Sequence, residues 1–372
     1  MICRLVASAI FVVAVASVQP YSRDELIKRT NRIPGLLWEA GHNSRFVGKP
    51  VGHSKRLCGV LPDFNEVLVA EREKGRLRQA PLYPEAIISQ LPKDFDPVKK
   101  WPQCKHVIDD IRDQSDCGCC WAFGPAGAAS DRLCIATNAT VAVPLSAQEA
   151  CFCPAIFSGG CDGGYPNDAW LHVGDMGLVT GSQFNNTGPF GHRGFCSSFT
   201  LPHCHHHGPR GNDPFPAEGS KGCPEVETDP KCPDKCDDDS KAPYKSWKKD
   251  RYKIDEKMIH QFKAEDIDQI AASIMMYGSV SSAFTVYPDF ENYVKGIYHL
   301  SNKKLQPLGG HAVRIVGWGE ENKVKYWKVA NSWNPFWGEN GYFRILRGAN
   351  ECGIEDNVLA SQDQAKWSGP GI

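Results

Sequence analysis

The chain has no excess of charge of either sign. Across 372 residues, 42 Lys and Arg stand against 43 Asp and Glu, interleaved along the sequence. That balance leaves no electrostatic footprint for a nucleic acid or an anionic membrane surface. Long apolar runs are scarce as well. The one such run, Leu5 to Val18, follows Arg4 and contains the small-residue site Ala14-Val15-Ala16. It is shorter than the roughly 20 residues of a spanning helix and reads as a secretory signal peptide, residues 1–16. No other stretch approaches that length, so a membrane-spanning segment is not expected. Cysteine, in contrast, is plentiful. Sixteen of them are too many for an ordinary cytosolic enzyme and suit the secretory pathway, with a destination in lysosome, endosome or outside the cell. The tripeptides Asn138-Ala-Thr140 and Asn185-Asn-Thr187 are glycosylation sequons that fit this route.

Residues 17–90 differ from the rest of the chain. They are basic, hold a single cysteine, Cys58, and show no clear periodicity from Ala70 to Tyr83. Ser22-Arg-Asp-Glu25 is a capping box for a short helix through about Asn31. Such a stretch builds little core by itself, so it is expected to lie along the main domain as a removable pro-segment. The mature domain then covers residues 91–372.

Within that body, Gln114-Ser-Asp-Cys-Gly-Cys-Cys-Trp121 places Cys120 at the opening of an apolar helix. Unpaired N–H groups at a helix start favour a thiolate. Gln114, six residues upstream, can donate to a developing oxyanion. Leu308-Gly-Gly-His311 puts an imidazole at the start of a strand, and Asn331-Ser-Trp333 begins where the next strand ends. A thiol nucleophile needs a base, and the base needs an acceptor that fixes its tautomer; Cys, His and Asn have those capacities. Gly159-Gly160-Cys161-Asp-Gly163-Gly164 is backbone with little side chain, suited to close approach by another chain. Ala264–Tyr277 has helical periodicity stopped by Gly278, and strands are expected at 279–287, 311–318, 325–330 and 341–346. A helical first half and a strand-rich second half imply an α+β chain of two lobes with a cleft between them.

The body resembles the papain family of cysteine peptidases, within it the cathepsin B group. The likeness is carried by the Cys120, His311 and Asn331 segments, by Trp38–Asn43 and Lys55–Gly59, and by the His-rich stretch between Cys204 and Cys223. It implies a helical N-terminal lobe and a β-barrel-like C-terminal lobe. It implies Cys120 as nucleophile, His311 as general base and acid, Asn331 as the orienter of His311, and Gln114 with the Cys120 N–H as oxyanion hole. Gly163 and Gly164 would pair with the substrate backbone, Trp333 would cover the His–Asn contact, and Asn357 would line the pocket for the second residue before the scissile bond. A neutral Asn there disfavours Arg. His206 and His207 match the occluding-loop histidines that bind a substrate's C-terminal carboxylate, giving C-terminal dipeptidase beside endopeptidase activity. The implied disulfides are Cys104–Cys134, Cys117–Cys161, Cys196–Cys236 and Cys204–Cys223, plus Cys232 with Cys151 or Cys153. The implied partners are peptides and proteins as substrates and the pro-segment as inhibitor, with a monomeric chain and no cofactor or metal.

Three features depart from the pattern. Cys119 takes the place of a Ser or Ala, either inert or an oxidation partner that silences Cys120. Pro125 is expected to kink the helix or delay its start. One of Cys151 and Cys153, and also Cys352, have no assigned partner. A catalytically silent peptide- or partner-binding homologue is therefore the competing reading. A third is zinc binding by His203, His205 and His207, which alternate along the chain.

Overall fold

A computed structural model describes residues 21–154, 158–183, 194–202, 227–361 and 366–367. Nine helices in these residues are α1 (Arg23–Thr30), α2 (Phe64–Glu73), α3 (Glu85–Ile88), α4 (Pro97–Lys100), α5 (Lys105–Ile108), α6 (Cys120–Ala136), α7 (Ala147–Phe152), α8 (Pro166–Asp175) and α9 (Ile267–Tyr277). The strands are β1 (Trp38–Ala40), β2 (Arg78–Gln79), β3 (Tyr252–Lys253), β4 (Ile259–Gln261), β5 (Val280–Val286), β6 (Tyr293–Tyr298), β7 (Gly309–Glu321), β8 (Val324–Ala330), β9 (Tyr342–Leu346), β10 (Leu359–Ser361) and β11 (Lys366–Trp367).

Two cores result. One gathers α5 to α8 around Trp121, Leu133 and Trp170. The other packs aromatic and β-branched side chains of the long sheet, among them Phe284, Trp327 and Phe343, with Trp333 from the loop after β8. The expected helix and four strands are present with ends shifted by a few residues, and Gly278 at φ 101° ends α9. The strand β6 and the helix α2 were not foreseen, the latter because its apolar positions, Phe64 and Leu68, are interrupted by charge.

The sheet runs β1-β6-β9-β8-β7-β5-β10-β4-β2. Both edge strands come from residues 21–90. β1 pairs antiparallel with β6, Trp38 opposite Gly296, and β2 pairs parallel with β4, Arg78 opposite His260. A sheet edge presents unpaired N–H and C=O groups, and this segment covers both. It also reaches the helical core, into which Val60, Phe64, Leu68 and Leu77 are buried. Of the expected capping box the serine half is present, Ser22 Oγ accepting from the Glu25 N–H at 3.2 Å, while Glu25 Oε1 pairs with Arg29.

The helix α6 is the joint between lobes. Gly124 lies so close to β7 that a Cβ would stand 3.0 Å from the Val313 carbonyl. Asp131 accepts from Arg314 of β7 at 2.6 Å, and the Arg132 guanidinium reaches the Gly278 carbonyl at 3.0 Å. Pro125 does not delay the helix: α6 starts at Cys120 and runs unbroken through it. A proline lacks the N–H that would bond the carbonyl four residues back, so one turn gives up a hydrogen bond while α6 is held by its packing on β7.

Candidate active site

Cys120 is the first residue of α6, fully buried, and its sulfur accepts the Gly59 N–H at 3.2 Å. The same sulfur interacts with the backbone of Ala312, the residue after His311 in β7. The helix-on-strand packing thus brings the front of the body and its far half to one point. The His311 ring has Nε2 2.8 Å from Asn331 Oδ1 and Nδ1 3.2 Å from the Leu57 carbonyl oxygen. Asn331 Oδ1 also accepts the Ser332 N–H at 2.8 Å, which fixes the amide orientation. With oxygen there, His311 Nε2–H donates. Trp333 lies over the imidazole with ring centroids 4.9 Å apart. The ring is fully buried.

Gln114 completes the centre. Its Nε2 donates to the Leu57 carbonyl at 3.0 Å and to the Cys117 carbonyl at 2.7 Å, while its Oε1 accepts from Ser332 Oγ at 2.7 Å. The Leu57 carbonyl oxygen therefore accepts from the Gln114 amide, as a reacting carbonyl would to be polarised, with the unprotonated His311 Nδ1 3.2 Å away. What faces the sulfur is an N–H, which cannot be attacked.

Gly164 holds the same segment by its backbone, with Gly163 packed close to the Gly59 carbonyl. The Gly164 N–H donates to the Gly59 carbonyl at 2.8 Å, and the Leu61 N–H donates to the Gly164 carbonyl at 3.3 Å. Both glycines are required there. Gly163 has φ 112°, and a Cβ on Gly164 would come within 2.6 Å of the Trp121 ring. Asn357 is half-buried, its Oδ1 without a hydrogen-bond partner among the described residues. His206 and His207, like His203 and His205, lie outside the described residues, as do Cys204 and Cys223.

The electrostatics differ from the ion pair a helix-start thiolate suggested. Burial pushes the Cys120 thiol up to about 11, against hydrogen bonds from Ala312, Gly59, Trp121 and Val60. Burial likewise brings His311 down to about 4, outweighing its contacts with Asn331 and Leu57. A charged form stripped of water is disfavoured, and residues 57–60 do the stripping. The closed chain holds thiol and imidazole neutral.

The cysteines resolve the open alternatives. Cys104–Cys134, Cys117–Cys161 and Cys196–Cys236 are bonded as the resemblance implied, and Cys232 pairs with Cys153. Cys151, expected to be a candidate for having no partner, is joined to Cys119. That corrects both readings of Cys119: it is neither a spare small residue nor an oxidant of Cys120, because its sulfur turns inward to α7. Cys58, Cys120 and Cys352 remain free thiols. The sulfurs of Cys117, Cys119 and Cys151 lie within 4.8 Å of one another, but all three are spent in disulfides.

A thiol at a helix start, an imidazole–amide pair and an amide donor around one carbonyl have the chemistry a cysteine peptidase centre requires. Residues 91–362 match the papain family cysteine protease model, and the chain belongs to that family. Within it, the chain is similar to cathepsin B-like enzymes. It is 38% identical over 347 residues to a cathepsin B-like cysteine proteinase of Schistosoma japonicum, covering 92% of this chain and 91% of that one. Cathepsin B-like cysteine proteinase 4 of Caenorhabditis elegans is 43% identical over 275 residues, 72% of this chain and 74% of its own. Among solved structures, proCathepsin B S9 from Trypanosoma congolense superimposes with a TM-score of 0.68 at 29% identity, covering 90% of this chain and 96% of that one. Procathepsin L 3 of Tenebrio molitor larval midgut, at 18% identity and TM-score 0.59, shares the fold. No described helix is long and apolar enough to cross a membrane.

Proposed function

We propose that the chain is a latent peptidase in which Cys120 attacks a peptide carbonyl, His311 carries the proton to the leaving amine, and Asn331 holds His311 in place. Gln114 Nε2 and the Cys120 N–H bind the developing oxyanion; water then hydrolyses the thioester. The observation that carries this reading is the Leu57 carbonyl oxygen, which accepts from Gln114 Nε2 and lies 3.2 Å from His311 Nδ1. Residues 17–90 act as the inhibitor: they fill the centre with a peptide turned so that an amide hydrogen, not a carbonyl carbon, meets the sulfur. The mature enzyme begins near Leu91, after a signal peptide that routes it to a lysosome, endosome or the extracellular space. C-terminal dipeptidase activity beside endopeptidase activity rests on the resemblance at His206 and His207.

After acid processing, a peptidyl epoxide is expected to label one cysteine, in the Cys120 peptide, and to block all cleavage. Cys120→Ala should abolish both. Cleavage that survives in Cys120→Ala, or no labelling of processed wild type, overturns the proposal and favours the silent, peptide-binding homologue.

A further inference from the structure

The Glu291 carboxylate takes its partners from the N-terminal segment. Glu291 stands in the 3-10 turn Phe290–Asn292 between β5 and β6 and is fully buried. Its Oε1 accepts the Ser54 N–H at 2.7 Å, its Oε2 accepts the Gly52 N–H at 3.1 Å, and Arg23 Nη2 lies 3.0 Å from Oε2. Among the described residues, no group of the body bonds this carboxylate. A carboxylate cut off from water is costly unless it is paired. When the segment is released, all three partners leave with it and the charge stays.

The turn lies next to the reacting centre. Phe290 packs edge-on against Trp333 with ring centroids 5.5 Å apart, and Trp333 covers His311. Ser54 belongs to the 3-10 turn His53–Leu57, three residues before the Leu57 carbonyl that Gln114 binds. At about 2 Å of rise per residue, that is about 6 Å along the turn. Gly52 lies against the body at Leu308, three residues before His311; a Cβ there would stand 3.3 Å from Leu308 Cδ2. Residues 59–61 run along Gly164 on the other side of the sulfur. Residues before 57 therefore lie beyond the centre, away from Gly164. In a substrate whose acyl half rests on Gly164, this is the side of the leaving amine.

We infer that Glu291 sets specificity for the first residue after the scissile bond, receiving a Lys or Arg side chain where Arg23 and two N–H groups sit in the closed chain. This rests on the peptidase reading above and adds a specificity to it. The second residue begins about 3.5 Å further along the chain, and it carries the terminal carboxylate when a dipeptide is released. Internally quenched peptides with Arg, norleucine or Glu at the first residue, and a matching series at the second, test this on the processed enzyme. Active sites are counted by epoxide titration. At the first residue Arg should exceed Glu in kcat/KM by about tenfold or more, the scale of a charge-assisted hydrogen bond, with most of the change in KM. Glu291→Gln should bring that ratio below about threefold, and Glu291→Lys should invert it. The wild-type series decides alone if neither variant folds.

A second arm asks whether the carboxylate is open after processing. A synthetic peptide of residues 43–62 carries the Gly52 and Ser54 N–H groups, and should inhibit the processed wild type about tenfold or more better than Glu291→Lys. A flat response at the first residue, a preference confined to the second, a ratio unmoved by Glu291→Gln, or equal inhibition of the two enzymes overturns the inference. A flat response is the outcome expected if Lys295, which pairs with Glu39 of the segment at 2.9 Å, turns onto Glu291 once the segment has gone. Cleavage without the preference sinks the subsite alone, whereas no cleavage of any peptide sinks the peptidase reading and the subsite with it.

Discussion

The N-terminal segment and the body are held by opposite means. Among the described residues, five disulfides fasten the body, and none ties the segment to it. The segment is attached by edge-strand ladders, by aromatic packing such as Trp38 on Tyr298 at 5.2 Å, and by buried polar anchors. Glu291, fully buried, takes an ion pair from Arg23 at 3.0 Å and N–H bonds from Gly52 and Ser54. The segment is fixed by contacts that water and protons can undo, whereas the body is cross-linked.

The sharpest way to break this contrast is to remove one buried anchor. Arg45→Ala leaves Asp113 buried beside one fewer cation, a change that costs about 3–5 kcal/mol. The variant should process itself in acid more than about a hundredfold faster than wild type, followed by the rate at which epoxide-reactive Cys120 appears. An unchanged rate would mean that the ladders alone hold the segment. Trp38→Ala, which empties an aromatic site at the β1 edge, is expected to cost about 3 kcal/mol of segment attachment and to leave the thermal unfolding of the processed body unchanged.

The converse test removes Cys119–Cys151. The double change to Ala opens a loop of 32 residues and should lower the stability of the processed body by about 3 kcal/mol, read by denaturant titration. Inhibition by the 43–62 peptide should move little. A large loss of inhibition would show that this cross-link positions Cys120 as well as stabilising the body.

On the reading proposed above acid undoes the segment, and two histidines under it set the sign. His311 is held down to about 4 by burial with help from Arg45. His260, opposite β2, is held down to about 4 by burial and then by Arg78 and Arg132. Each stays neutral in the closed form while an opened form binds a proton near the ordinary histidine value of about 6.5. The closed form is thus fully stable above about 6.5 and loses stability as pH falls from there towards 4. Glu227, raised to about 7 by burial, acts in the opposite sense as its charge is lost, so a histidine variant tests the sign better than the wild-type curve alone. In a Cys120→Ala background, exchange of the Gly59 and Val60 amides should accelerate across that window beyond its intrinsic pH dependence, and His260→Gln should reduce the slope. No change of slope would exclude His260 as a contributor. The smallest effect concerns Asn357. An Arg-Arg substrate should be cleaved a few-fold less well than Phe-Arg, since an amide lacks the charge for a basic side chain; equal or better cleavage of Arg-Arg would remove Asn357 from that pocket.

Much of the candidate centre was legible because its chemistry is local. A cysteine before an apolar helix, a histidine after two glycines and an asparagine at a strand end stay recognisable without coordinates. The partners of Cys119 and Cys232 were not legible, since a disulfide depends on which Cα atoms come within about 4.4–6.8 Å, and spacing along the chain does not set that distance. The neutral state of Cys120 and His311 was missed for a related reason. A helix start argues for a thiolate, but burial by a segment some 60 residues upstream outweighs it.

Taken alone, the order of residues determined the signal-like start, the cysteine-rich body, the helix-then-strand grammar and the residue types of the centre, because each depends on neighbours in the chain. Only the folded chain decided that α6 lies against β7, that both sheet edges are closed by residues 21–90, and that Arg45 is received by Asp113. Those depend on burial and on charges meeting across large sequence separations, and such energies exist only once water has been excluded between the surfaces.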